Sequence, residues 1–180
     1  GQPNAEADDL IAAYTRAALG EGGEVVIATN DKDLFQLVNG RVRIYSTNKG
    51  DLASPKDGFA LLGDEQVREK WGVGAGQIGD VLSLIGDSVD NIPGVPGIGP
   101  KRAVALIQEF GSIPNLLADV SRIANASLRE KIETHREQIL ANREMVSLHD
   151  DLPLPLPLDQ LHIAPRHEAL VAALEGFEFK

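Results

Sequence analysis

The stretch from Gly86 to Val104, GDSVDNIPGVPGIGPKRAV, restricts the fold more than any other part of the chain. Pro93, Pro96 and Pro100 each fix φ and remove a backbone donor, so the segment cannot be a helix interior or a central strand. Gly94, Gly97 and Gly99 allow positive φ and close backbone approach, which suits a compact turn. Pro100 suits the first turn of a following helix, where its missing N–H costs nothing. Lys101 and Arg102 then stand at the positive end of that helix, where cations are disfavoured unless an anion sits there too. Main-chain N–H groups at Gly94, Gly97 and Gly99, the helix N-terminus and Lys101 can converge on a phosphate. Such a contact holds a nucleic acid by its backbone without reading its sequence. A tight turn between helices with exposed basic residues is the alternative.

Composition sets limits on that reading. The 180 residues are enough for one well-packed core. A formal charge of -10 argues against a broad basic surface, so a nucleic acid would have to be gripped locally. No apolar run approaches the ~18 residues of a membrane span, and no secretory leader is recognisable at the start. The chain has no cysteine, which rules out disulfides and thiolate metal sites and fits a cytoplasmic setting. His135, His149, His162 and His167 show no metal-ligand spacing and receive no role.

Hydrophobic periodicity predicts an α/β layer followed by helices. EADDLIAAYTRAALG, Glu6 to Gly20, has helical spacing; EVVIAT, Glu24 to Thr29, is a short buried strand; NDKDLFQLV, Asn30 to Val38, is a turn and a short helix. NGRVRIYS, Asn39 to Ser46, alternates like a strand with one exposed face, and TNKGDLASPKDG, Thr47 to Gly58, reads as a loop. Helices are expected from Asp64, the predicted N-cap, to Gly72, within Ala75–Gly86, Pro100–Gly111 and Ser112–Val120, as one long helix over Ser127–Leu148, and over Arg166–Phe179. Alternate prolines force Asp151–Leu158 to run extended. The predicted division is a single unit over 1–180, with an α/β part at 1–63 and a helical part at 64–180.

Seven carboxylates fall in three clusters near predicted element ends: Glu6, Asp8 and Asp9; Asp31 and Asp33; Asp87 and Asp90. Taken singly, the first cluster could simply favour a helix dipole, and the second could be a cap after a strand. Asp87 and Asp90, three apart, would share a face of a helical turn and repel, which a cation would relieve. Together, oxygen donors without Cys or His point to a hard ion, Mg²⁺ or Mn²⁺. Two such ions suit phosphodiester hydrolysis.

GDSVDNIPGVPGIGPKRAVALI resembles the helix-hairpin-helix region of the 5′-nuclease family, which includes the 5′-3′ exonuclease domain of bacterial DNA polymerase I and the flap endonucleases. EADD and DKDLFQLV resemble two further motifs in the same order, and LEGFEFK resembles the end of that domain. The resemblance implies a partial parallel-sheet, PIN-like nuclease core, then a helical region with the helix-hairpin-helix at about 76–110. It implies metal binding by Glu6, Asp8, Asp9, Asp31, Asp33, Asp87 and Asp90, with Asp31, Asp33, Asp87 and Asp90 as the catalytic set. DNA would be held by Gly94, Gly97, Gly99, Lys101 and Arg102, and K⁺ by the main-chain carbonyls of Gly94, Val95 and Ile98. The implied partner is DNA with a free 5′ end or flap, with a polymerase domain fused or in trans. Family members also carry an aspartate-bearing strand and a basic arch ahead of EADD, which this sequence does not contain. A DNA-structure-binding module that grips without cutting is therefore the rival expectation.

Overall fold

A computed structural model describes residues 6–54, 56–161 and 167–177. The last residues of LEGFEFK, 178–180, lie outside them. Helix α1 (Ala7–Gly20) buries Ala12, Ala13 and Thr15 and ends at a glycine turn, where Gly22 takes φ +84°. Strand β1 (Val25–Ala28) follows and pairs in parallel with β2 (Val42–Ser46), Val25 opposite Val42 and Ile27 opposite Ile44. In β2 the expected alternation holds: Val42, Ile44 and Ser46 point inward while Arg43 is exposed.

The sheet is mixed rather than purely parallel. A third strand, β3 (Ala60–Leu62), runs antiparallel to β2 with Leu62 opposite Ile44, giving the order β1-β2-β3 among the described residues. Three residues are too few to show alternation, so nothing in the sequence distinguishes β3 from the loop before it. The opposite face carries exposed Val26 and Leu61, together with Phe59 stacked on Tyr45 at 4.6 Å.

The remaining elements are helical apart from one small ribbon. Helix α2 (Asp64–Trp71) is capped by Gly63, one residue before the predicted cap; Gly63 donates its N–H to Gln66 Oε1 at 3.0 Å. Asp64 lies inside the first turn, where its charge suits the dipole. Helix α3 (Ile78–Ile85) is the centre of the core: Ile78, Val81, Leu82 and Leu84 are buried, and so are Asp80 and Ser83. Strands β4 (Gly86–Asp87) and β5 (Ile92–Pro93) form a two-residue antiparallel ribbon. Helices α4 (Pro100–Phe110) and α5 (Ile113–Ala118) come next, and Ser112 caps the second by accepting from the Asn115 N–H.

The long helix expected over Ser127–Leu148 is two helices, α6 (Ala126–Thr134) and α7 (Arg136–Val146). The break is at His135, whose φ -101° and ψ 17° leave the helical region, and whose ring Nδ1 lies 2.8 Å from the Lys131 carbonyl. No glycine or proline marks the break, so hydrophobic periodicity runs through it unseen. Helix α7 packs along α3 and buries Ile139, Asn142 and Val146. Residues 151–157 are neither helix nor strand, as the alternate prolines require, and α8 (His167–Gly176) has an exposed surface throughout. Among the described residues no helix is long and apolar enough to cross a membrane.

Candidate active site

The acidic clusters converge because three element ends meet. Asp31 and Asp33 follow the carboxyl end of β1, and a chain of short bonds fixes their turn. The Asp31 N–H donates to Thr29 Oγ1 at 2.9 Å and the Asp33 N–H to Asp31 Oδ1 at 3.1 Å. Asp33 then opens a 3₁₀ turn, Asp33–Leu37, anchored by buried Leu34 and Phe35. Asp87 lies in β4 and Asp90 in the turn to β5, so the pair does not sit on a helical turn as expected. The tight ribbon nevertheless brings them face to face, with the Val89 N–H bonded to Asp87 Oδ1 at 2.9 Å.

One carboxylate oxygen from each of Asp33, Asp87 and Asp90 falls within 4.8 Å of the others. Glu6, Asp8, Asp9 and Asp31 line the adjoining cleft of about 300 Å³, which also touches Asp33 and Asp90. Asp9 already accepts the His149 N–H at 2.9 Å, tying the start of α1 to the segment after α7. Its carboxylate is therefore partly committed to holding the fold.

The electrostatics of this cleft are those of crowded charge. Burial, with the neighbouring carboxylates of Asp31, Asp87 and Asp90 adding to it, pushes Asp33 from the ordinary 3.8 up to about 6, despite the opposing pull of Lys32. Asp8 is raised by burial, then by Asp31, Glu6 and Asp9. Burial also works against a charged Asp87, but the Lys32 ammonium and the Val89 N–H outweigh it and hold Asp87 low. Asp90 is raised, chiefly by its hydrogen bond to Asp87. Two neighbouring carboxylates thus share a site with one of them tending to keep its proton. Asp33 Oδ1 is buried without a hydrogen-bond partner. An orphaned carboxylate oxygen in a cluster made of three aspartates is what a hard divalent cation would satisfy. The residues fit such an ion.

The hairpin hangs from the same ribbon. The last carbonyls of α3 need partners outside the helix, and they find them here: Leu84 accepts the Val95 N–H at 2.9 Å and Ser83 accepts Asn142 Nδ2 at 3.0 Å. Asn142 Nδ2 also reaches the Pro93 carbonyl at 2.8 Å, and Gln138 Nε2 reaches it at 2.6 Å. The glycines serve different needs from one another. Gly97 has φ +79°, whereas a Cβ on Gly94 would lie 2.1 Å from the Ile85 carbonyl oxygen. The close approach at Gly94 is thus to the protein's own backbone. Gly99 needs neither freedom; it is the N-cap of α4, its carbonyl accepts the Arg102 and Ala103 N–H groups at 3.0 Å, and with no N–H on Pro100 and no side chain on the cap the Lys101 N–H is the amide left uncapped. Lys101 and Arg102 are exposed beside them, and Arg102 Nη1 donates to the Gly97 carbonyl at 2.7 Å. Of the three carbonyls expected to hold K⁺, Val95 accepts the Ile98 N–H at 3.0 Å and Gly94 accepts Gln138 Nε2 at 3.3 Å. Each keeps a second lone pair.

Residues 73–169 match the family model for the 5′-3′ exonuclease, C-terminal SAM fold, and residues 1–72 match the N-terminal resolvase-like domain of the same enzyme. The chain belongs to the 5′-3′ exonuclease family. Within this family, DNA polymerase I of Rhizobium leguminosarum is 39% identical over 175 residues, which is 97% of this chain and 16% of that protein. The thermostable DNA polymerase I of Thermus thermophilus is 41% identical over 177 residues, 98% of this chain and 20% of that protein. The exonuclease-family chain therefore spans a fifth or less of the length of these curated relatives. Its fold is similar to that of the bacteriophage T5 D15 protein co-crystallised with metal ions, with a TM-score of 0.72 and 22% identity, covering 83% of this chain and 52% of that one. It is also similar to the T5 D15 flap endonuclease in complex with DNA and metal ions, with a TM-score of 0.69 and 23% identity, covering 80% and 50%.

Sequence reasoning assigned nothing to several residues that build these sites. Lys32, between Asp31 and Asp33, reaches into the carboxylates and pairs with Asp87. Gln138 and Asn142 are four apart on α7, a spacing that signals a shared polar stripe but not what it braces. Lys131 approaches Gly97 from α6, adding a cation beside the hairpin.

Proposed function

We propose that this chain is a divalent-metal-dependent 5′-3′ exonuclease and 5′-flap endonuclease of DNA, cytoplasmic, acting in replication and repair beside a polymerase domain. The single observation that carries the reading is the meeting of Asp33, Asp87 and Asp90 around an orphaned buried oxygen, at the mouth of a cleft lined by further acids. In this reading 1–63 and 64–180 act as one unit, the first supplying Glu6, Asp8, Asp9, Asp31 and Asp33, the second Asp87, Asp90 and the hairpin.

Asp31, Asp33, Asp87 and Asp90 would hold Mg²⁺ or Mn²⁺, with Glu6, Asp8 and Asp9 completing the set. Bound there, the ion supplies Lewis-acid activation of water and neutralises charge at the phosphodiester. The chain's own residues do the rest. The side chains of Lys101 and Arg102 and the uncapped Lys101 N–H at the start of α4 hold a backbone phosphate without sequence preference. The carbonyls of Gly94, Val95 and Ile98 offer oxygen to K⁺, which would let the hairpin sit against a phosphate. Asp87, buried in the ribbon, keeps the charged form that cation binding requires.

The test is an end-labelled 5′-flap DNA incubated with the chain in Mg²⁺ and in EDTA, beside Asp87→Ala. Cleavage that needs both Mg²⁺ and Asp87, with binding retained in the variant, is the expected result. Salt-sensitive binding with no Mg²⁺-dependent cleavage would replace the enzyme by a DNA-structure-binding module.

A further inference from the structure

Lys32 is placed where a cation is needed. Its backbone is fixed in the turn between Asp31 and Asp33, and its side chain, 36% exposed, reaches inward to Asp87, whose own side chain is 4% exposed. The same ammonium lies 3.8 Å from Asp33 Oδ1, the oxygen that has no hydrogen-bond partner. One compact positive charge thus pairs directly with Asp87 and reaches Asp33 only at a distance too long for a hydrogen bond.

A second lysine offers the contrast. Lys70 pairs with Asp51, likewise 4% exposed, but Asp51 also accepts Ser46 Oγ at 2.6 Å. No carboxylate cluster of the described residues includes Asp51. That is a closed structural pair. The Lys32 arrangement is open: three carboxylates, one ammonium and one orphaned oxygen.

We propose that Lys32 is the resident counter-ion of the carboxylate cleft, competing with the divalent ion for Asp87 and Asp33 and so setting how tightly that ion binds. The inference rests on reading the cleft as a metal site. A lysine suits the task because its flexible stem can carry a strongly hydrated charge back to water, whereas a planar guanidinium would lock onto the carboxylates. Without metal, Lys32 offsets repulsion among the aspartates; with metal, its charge opposes the ion at close range.

The experiment measures Mn²⁺ affinity of the 180-residue chain by electron paramagnetic resonance of free Mn²⁺, for the parent, Lys32→Met and Lys70→Met, with melting in EDTA alongside. Lys32→Met is expected to tighten Mn²⁺ about tenfold, the scale of one close like-charge competitor partly screened by water, and to melt earlier in EDTA. Lys70→Met is expected to melt earlier while its Mn²⁺ affinity stays within about twofold of the parent. Unchanged or weaker Mn²⁺ binding in Lys32→Met overturns the proposal, since the lysine would then be scaffolding. Failure of the parent to bind Mn²⁺ at all overturns the metal-site reading and this inference with it. Should Lys32→Met fail to fold without metal, ¹⁵N spectra of the lysine ammonium groups in the parent decide. Loss of the Lys32 hydrogen-bonded signal on adding Mg²⁺ supports the exchange, and an unaltered signal refutes it.

Discussion

Asp33 gives the sharpest test of the crowded-charge account. Its carboxyl is raised from 3.8 to about 6, mainly by burial, so the protonated form is the one the folded state prefers. The stability this contributes is fully present below about pH 4 and is lost as pH rises through about 6. At about 1.36 kcal/mol per pH unit the displacement corresponds to about 3 kcal/mol. Because a fifth of the side chain is still exposed, solvent screening brings the expectation down to about 2 kcal/mol. Asp33→Asn keeps the shape and removes the charge. In EDTA, urea unfolding should show the variant gaining about 2 kcal/mol on the parent between pH 4 and pH 8, most of it between pH 4.5 and 7. Any loss from the altered turn is constant across pH and drops out of this difference. Mg²⁺ should shrink the gap at pH 8 by stabilising the parent alone. A parent-to-variant difference that stays flat with pH, or that moves in the parent's favour as pH rises, would refute the claim that Asp33 is held charged at a cost.

Other consequences are open to measurement. Replacing Lys101 and Arg102 together by alanine should weaken duplex binding similarly for unrelated sequences and flatten the logarithmic salt dependence by about 2, one for each phosphate that is no longer neutralised; an unaltered slope would mean the hairpin is not the anchor. Gly94→Ala should cost about 3 kcal/mol in chemical denaturation, because its Cβ would stand 2.1 Å from the Ile85 carbonyl oxygen and that oxygen belongs to rigid backbone; a cost below about 1 kcal/mol would show that the ribbon can relax. Asn142→Leu should destabilise by about 2 kcal/mol by stripping the Ser83 carbonyl of its donor, while Ser147→Ala, whose hydroxyl only bonds back to the Arg143 carbonyl at 2.6 Å, should change stability by less than about 0.5 kcal/mol.

What the sequence made legible was local and punctuated. EADD opens α1, EVVIAT contains β1, and Pro100 starts α4, because capping preference, β-branched burial and proline geometry act within a few residues. The break at His135 escaped detection because it comes from a departure of one residue's dihedrals, with apolar spacing continuing on both sides. β3 escaped because its three residues acquire their meaning from pairing with β2. Asp87 and Asp90 were paired for the wrong local reason: three-residue spacing brings side chains together in a helix, but here a two-residue ribbon does so. Lys32 was passed over because a lysine between two aspartates reads as local charge balance. Its reach to Asp87 across the fold is a tertiary fact.

The two sites meet at one backbone junction, and this explains why Gly86 and Gly94 stand back to back. Gly86 takes φ +72°, and a Cβ there would lie 2.3 Å from the Gly94 nitrogen, as a Cβ on Gly94 would strike Ile85. Neither residue can carry a side chain while the other strand stays where it is. Asp87 is the next residue after Gly86, and the turn toward Lys101 begins at Gly94. The offset between the carboxylates and the hairpin is therefore carried by bonded backbone and by the α3 carbonyls, with Gln138 and Asn142 of α7 bracing Pro93 from outside. Long side chains would have let that offset vary, at an entropic cost for each rotamer held. On the function proposed above, a ribbon in atomic contact would keep a phosphate held at the hairpin at a constant distance from the acids, which is the geometric condition for cutting at one position along a strand rather than at several.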